Sequence, residues 1–245
     1  MNNNCEKEVL AGATVCGEHH KLHGTENQDA IGFAVNDSGM VMCVADGVGS
    51  HIYSAEGSKS AVAAVMQVFA LLAQGGLDQT AVTEEICALY MEGIPAEHLG
   101  KAATTCIYIA VVEQRIYVGL IGDGVCCLRK NGEMLFVSRK DDDFSNIVYP
   151  LSVGSTLSSW ELRCFDITEY DTIEALIATD GISVDIIPGK EGVCLDYFIR
   201  KISETPGENR NVALSEILTE WGTDGSSDDK SVIVYKRQGE KNGCY

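Results

Sequence analysis

Four acidic positions in this sequence share a setting that favours binding of a divalent cation. Each aspartate lies at the predicted end of a strand, beside a glycine or a second aspartate: Asp46-Gly47, Asp123-Gly124, Asp180-Gly181 and Asp228-Asp229. Taken singly, each is most simply a turn aspartate. Gathered on one rim, two carboxylates ~4 Å apart repel by about 4 kcal/mol, so a group of them needs a cation. Hard oxygen ligands without cysteine or histidine select Mg²⁺, Mn²⁺ or Ca²⁺.

A calcium-binding loop is the alternative that the acidic stretch 224–229 suggests. The EF-hand pattern requires a glycine at loop position six and a closing glutamate. Both are missing from this stretch, so the sequence excludes an EF-hand.

A predicted hairpin brings a further carboxylate to the first of these positions. Residues 30–35 and 40–45 read as two apolar strands, and the turn residues 36–39 separate them. Asp29 precedes the first strand and Asp46 follows the second. Because opposite ends of adjacent antiparallel strands are neighbours, we expect these two carboxylates to lie close together.

The rest of the chain predicts further strands, helix pairs and two polar segments. The helices are expected at 54–73, 78–92, 192–203 and 209–221. The other strands are expected at 9–16, 103–112, 115–121, 125–129, 133–137, 161–166, 172–178 and 231–235. The segments 17–29 and 139–159 are predicted as loops. Strands joined mostly as hairpins favour an antiparallel α+β layered fold over a βαβ alternation.

The amino-acid composition limits which binding partners and which cellular compartment we expect for this protein. The sequence has 18 basic and 36 acidic residues, a net charge of −18, which argues against nucleic acid or an anionic membrane as a partner. Ten cysteines occur without a C-x-x-C pair, and the N-terminus lacks the layout of a signal peptide. The longest apolar run, residues 61–73, is short for a membrane span. We therefore expect a cytoplasmic protein that forms a single domain over residues 1–245.

The order of the motifs resembles the metal-dependent protein phosphatases of the type 2C class, particularly its compact bacterial branch. The resemblance spans about residues 10–236 and depends on the following series: His20 to Ala30 in the form His-x-x-x-Gly-x-x-x-Gln-Asp-Ala, Val44-Ala45-Asp46-Gly47-Val48-Gly49, Gly122-Asp123-Gly124, Thr179-Asp180-Gly181 and Asp228-Asp229-Lys230-Ser231. It implies a four-layer α-β-β-α sandwich, in which two mostly antiparallel sheets are flanked by helix pairs. It also implies a cleft at one edge that holds two Mg²⁺ or Mn²⁺ ions.

The resemblance also implies roles for individual residues. Asp46 would bridge both metal ions, the Gly47 carbonyl would help bind one, and Asp180 and Asp229 would complete the other site. Asp29 would hold metal-bound waters. Two further ligands are implied. Gln28 offers a carbonyl oxygen where many members have glutamate, and Asp123 would serve a third and looser metal site.

Some positions depart from the family pattern. The phosphate-binding arginine of the family falls on Gly24, and the nearby His20, Lys21 and His23 are candidates to replace it. The position after Asp46-Gly47, which is a histidine in some relatives, is Val48. His20 and His23 are therefore our candidate catalytic residues beside Asp46 and Asp29.

The implied reaction is hydrolysis of phosphoserine and phosphothreonine in proteins by a metal-bridging hydroxide. Its partner would be a phosphorylated protein, with a cognate serine/threonine kinase. One alternative is a catalytically weak or inactive module that binds and regulates a phosphorylated partner. Another is a hydrolase of small phosphoesters.

Overall fold

Two five-stranded antiparallel sheets form the centre of the molecule in the computed structural model, which describes residues 8–72, 78–139, 149–222 and 226–240. The first sheet contains, in order across it, β1 (Glu8–Val15), β10 (Lys230–Arg237), β9 (Ile173–Ala178), β6 (Val125–Lys130) and β7 (Glu133–Arg139). The second contains β2 (Asp29–Asn36), β3 (Gly39–Asp46), β4 (Cys106–Val112), β5 (Arg115–Ile121) and β8 (Glu161–Asp166).

The two sheets stack through an apolar layer. Val44 and Ile107 of the second sheet meet Ile177 and Ile233 of the first in one buried cluster, and all four are 0% exposed. Alternate residues of β3, such as Cys43, belong to a separate cluster on the outer face of the same sheet. A strand buried on both faces has no polar alternation, which explains the continuous apolar run before Asp46.

Helices cover the outer face of each sheet. The helices are α1 (Glu18–His23), α2 (Ser54–Leu72), α3 (Gln79–Glu92), α4 (Asp180–Ser183), α5 (Glu191–Glu204) and α6 (Arg210–Glu220). α2 and α3 pack on the second sheet, and α5 and α6 pack on the first. The predicted α+β four-layer sandwich with a helix pair on each side is confirmed. None of the helices in the described ranges is long and apolar enough to cross a bilayer.

Two short helices depart from the sequence-based expectations. Segment 17–29 is not a continuous loop, since it contains α1, which ends at Gly24 in the left-handed conformation with φ 67°. α4 begins directly at Asp180, where only a strand end was expected. Of the predicted loop 139–159, residues 157–159 form a 3-10 turn, whereas 140–148 lie outside the described residues.

Candidate metal centre

Asp46 is held rigidly at the end of β3. It pairs in register with Asp29 across the β2–β3 hairpin, which confirms the predicted proximity of the two residues. The Asp46 N–H donates to Thr105 Oγ1 at 2.9 Å, and its carbonyl accepts from the Thr105 N–H at 2.7 Å and the Thr104 hydroxyl at 2.8 Å. The backbone is therefore fully bonded, and the side chain is available to line a cleft.

Asp180 reaches the same place from the other sheet. It follows β9 and opens α4, and it lines the same cleft as Asp46. The Oδ1 atom of Asp180 is buried and has no hydrogen-bond partner. A buried carboxylate oxygen without a partner is costly, and a bound cation is one way to satisfy it.

Asp29 forms the inner wall of the group and is 5% exposed. Its Oδ2 accepts from the Thr179 hydroxyl at 2.8 Å and the Ser231 hydroxyl at 2.7 Å, while Oδ1 is buried without a partner. Burial raises the pKa of Asp29 to about 7, against the lowering effect of those two hydrogen bonds. The charges of Asp229 and Asp180 add to the rise.

Mutual repulsion extends across the whole group of carboxylates. Burial, followed by the charges of Asp29 and Asp180, raises the pKa of Asp46 well above its ordinary value. Burial and the charge of Asp123 raise the pKa of Asp180 to about 6, and Asp228 contributes to the shifts of both Asp46 and Asp180. These carboxylates therefore act on one another within a single electrostatic unit that a divalent cation would stabilise.

Asp228 and Asp229, the acidic pair before β10, lie in different environments. This corrects the choice of Asp229 as the metal ligand in the cleft. Asp228 lines the cleft, whereas Asp229 is 2% exposed and does not line it. Both carboxylate oxygens of Asp229 are already engaged, by the Gly17 N–H at 2.7 Å, the Gln28 N–H at 2.6 Å and His20 Nδ1 at 2.9 Å. Two adjacent residues of one type look alike in sequence, and only the backbone direction separates them.

The two candidate catalytic histidines also have different positions. His20 lines the cleft with a side chain that is 12% exposed. His23 does not line it; its side chain is exposed, and its Nδ1 contacts the His19 carbonyl oxygen at 2.7 Å. The prediction for His23 is therefore wrong in its geometry, because the helical turn of α1 directs this side chain elsewhere. His19, which sequence reasoning did not select, lines the cleft instead.

These residues surround an open cleft of about 530 Å³. Its lining is His19, His20, Gln28, Asp46, Gly47, Val48, Gly49, Thr105, Asp123, Asp180, Ser226, Ser227 and Asp228. Gln28 Oε1 is buried without a partner, like the Oδ1 atoms of Asp29 and Asp180. Three such oxygens beside a group of carboxylates fit a hard divalent cation, which prefers oxygen ligands.

The sequence and fold place this chain in a known family. Residues 16–221 match the protein phosphatase 2C family model, and the chain belongs to that family. The resemblance seen in the motif series is thereby confirmed. A comparison with curated protein sequences gave no match.

Solved structures share the fold at low sequence identity. RsbX, crystallised in complex with magnesium, is 14% identical with a TM-score of 0.60, over 97% of this chain and 98% of RsbX. The serine/threonine phosphatase PstP/Ppp of Mycobacterium tuberculosis is 20% identical with a TM-score of 0.64, over 95% of this chain and 99% of that chain. A bacterial serine phosphatase is 19% identical with a TM-score of 0.63, over 95% and 99%.

Proposed function

We propose that this chain is a metal-dependent protein serine/threonine phosphatase. The observation that supports this most strongly is the convergence of Asp46, Asp180 and Asp228 on one cleft, where an Asp180 oxygen is buried without a partner. Carboxylates pressed together in this way are characteristic of a site that functions with a cation.

The proposed ligands are Asp46, Asp180 and Asp228, with the Gly47 carbonyl and Gln28 Oε1 beside them. Asp123 lines the same cleft and is the candidate for a further, weaker site. When bound, Mg²⁺ or Mn²⁺ lowers the pKa of a coordinated water and offsets charge on the phosphoryl oxygens. Two ions, with a third at Asp123, remain our proposal for the number bound.

The chain's own residues order the site around this group. The hydroxyls of Thr179 and Ser231 fix the orientation of the Asp29 carboxylate, and Ser231 Oγ lies 2.8 Å from Thr14 Oγ1. Asp29 Oδ1 remains available to accept a hydrogen bond from a water molecule in the site. Because Asp29 is anchored on both sheets, it can orient that water without moving itself.

The shape and chemistry of the cleft support a phosphorylated protein as the substrate. The cleft is open to solvent and most of its lining residues are polar, as suits a charged side chain presented from the surface of another protein. Structures similar to this one include serine and serine/threonine phosphatases, and one belongs to the bacterial stressosome. We propose a phosphoprotein partner in the cytoplasm, with a cognate serine/threonine kinase.

The test is turnover of p-nitrophenyl phosphate and of a phosphothreonine peptide, with and without Mn²⁺. We expect Mn²⁺-dependent turnover that is lost in Asp46→Asn and retained in Asp37→Asn, a control at the exposed far end of the hairpin. No turnover at millimolar Mn²⁺ would favour a module that binds phosphoproteins without hydrolysing them. Turnover that survives Asp46→Asn would reject the metal mechanism.

A further inference from the structure

The described residues of the cleft offer few hydrogen-bond donors to a phosphoryl group. Among its described lining residues none is lysine or arginine, and the ring N–H donors come from His19 and His20. A phosphoryl dianion needs donors besides metal ions, because its oxygens only accept hydrogen bonds. One of the two histidines is held much more firmly than the other.

His20 is fixed by a single strong contact. Its Nδ1 lies 2.9 Å from Oδ2 of Asp229, and Asp229 lies behind the cleft wall rather than on it. The two nitrogens of an imidazole ring lie on different edges, so the edge that carries Nε2 is the one left to face the cleft. His19 by contrast is exposed, and its ring lies against that of His23 with centroids 4.4 Å apart.

Asp229 is itself locked in place. Its carboxylate accepts from the N–H groups of Gly17 and Gln28, which lie on either side of α1. The Cys16 sulfur, a His20 ring nitrogen and an Asp229 oxygen all lie within 4.8 Å of one another. One buried carboxylate therefore joins both ends of the α1 segment and holds the imidazole that this segment carries.

We infer that Asp229 and His20 form a dyad that binds the phosphoryl group of the substrate. His20 is the catalytic residue of the pair, because its Nε2–H donates to a phosphoryl oxygen, and Asp229 is a positioning residue. A carboxylate and a phosphoryl oxygen both only accept hydrogen bonds, so an imidazole between them carries a proton on each nitrogen. The inference builds on the proposed phosphatase function and names a donor that this function requires.

Lys21 is a poorer candidate for the same task. It lines a neighbouring cavity of about 510 Å³ together with Cys16, Glu18 and Trp221, and it does not line the catalytic cleft. The cleft and this cavity share Ser226 and Ser227 on their walls. His20, already directed by Asp229, is the better placed donor.

The first test is NMR of protein labelled with ¹⁵N in its five histidines, with Mg²⁺ as the diamagnetic metal. His20→Gln assigns the His20 signals. We expect a proton on His20 Nδ1, a shift of His20 Nε2 when inorganic phosphate is added, and loss of that response in Asp229→Asn. An unprotonated Nδ1 in the wild type, or a His20 signal that ignores phosphate while other site signals move, would overturn the dyad.

The second test is steady-state kinetics with Mn²⁺ and a phosphothreonine peptide. Because a hydrogen bond to a charged group contributes about 1.5–3 kcal/mol, His20→Gln and Asp229→Asn should each lower kcat/KM about 10- to 100-fold. The half-saturating Mn²⁺ concentration should stay within about twofold of wild type, a result that damage to the metal site or to the fold would not give. Equal losses of kcat/KM and Mn²⁺ affinity would contradict the phosphoryl role.

The two tests separate the dyad from the proposed function. If wild-type protein shows no Mn²⁺-dependent turnover, the phosphatase proposal fails. The NMR response of His20 to phosphate then still tests whether the dyad binds a phosphoryl group. If turnover is robust and His20 ignores phosphate, the dyad fails and the phosphatase proposal stands. Asp37→Asn again serves as the control for the loss of one aspartate charge, and thermal melting of Asp229→Asn checks that this variant folds.

Discussion

Asp46 and Asp180 line the same cleft, although each comes from a different sheet. Asp46 ends β3 of the second sheet, and Asp180 follows β9 of the first. The cleft therefore lies where the two stacked sheets meet at one edge. A cation bound at this point would stabilise the contact between the two halves of the sandwich.

Asp180→Asn should therefore have opposite effects on stability without and with metal. In EDTA the variant is expected to melt at a higher temperature than wild type at pH 8, because one of several repelling charges is gone. Wild type should gain about 5–10 °C at a metal concentration near 100 times Kd, and the variant much less. Thermal melts across a Mn²⁺ series measure both effects. A variant that gains as much from Mn²⁺ as wild type would show that Asp180 is not a ligand.

Asp228→Asn and Asp229→Asn should separate by their effect on metal affinity. Asp228 faces the cleft, so its loss should weaken Mn²⁺ binding. Residues that only support a metal ligand typically cost about 10- to 100-fold in metal affinity, and we expect a loss at least this large. Asp229 is occupied by Gly17, Gln28 and His20, so its loss should change Mn²⁺ affinity far less. Isothermal titration calorimetry with Mn²⁺ measures both values. The reverse ranking would restore Asp229 as the ligand.

The metal-free protein should lose stability as pH rises from about 4 to about 7. The folded pKa values of Asp29, about 7, and Asp180, about 6, lie above the value for an unfolded aspartate. The folded state therefore binds more protons across this window, and its stability falls as they are lost. Melting temperatures in EDTA between pH 5 and pH 8 test the slope. Asp29→Asn should flatten it, and an unchanged slope in that variant would contradict the assignment.

Gly181→Ala should destabilise the site by steric overlap. A Cβ at Gly181 would overlap the backbone oxygen of Asp229, so the chain before β10 must move. Overpacking of this kind costs about 1–3 kcal/mol, which urea unfolding can measure, and the displacement of Asp228 should also weaken Mn²⁺ binding. The matched control is Gly100→Ala, because a Cβ there meets nothing within 4 Å. A Gly181→Ala variant as stable as Gly100→Ala would show that this contact relaxes freely.

Local sequence patterns were enough to predict a layered fold and most of the acidic group. Apolar runs ending in Asp-Gly, together with hairpin connectivity, predicted an antiparallel α+β layered fold and the pairing of Asp29 with Asp46, while the resemblance to the type 2C phosphatases implied the two sheets. These features are local, because the period of a strand and the residue types of a turn depend on residues that are neighbours in the sequence.

Which members of the group face the cleft depends on packing between distant parts of the chain. The direction of the chain before β10 exposes Asp228 and buries Asp229, and the turn of α1 directs His20 inward while His23 stays outside. Both outcomes depend on contacts between residues distant in sequence, such as Asp229 with Gly17 and Gln28. Residue type gives the chemistry that is available, whereas long-range packing and hydrogen bonding decide where each side chain points.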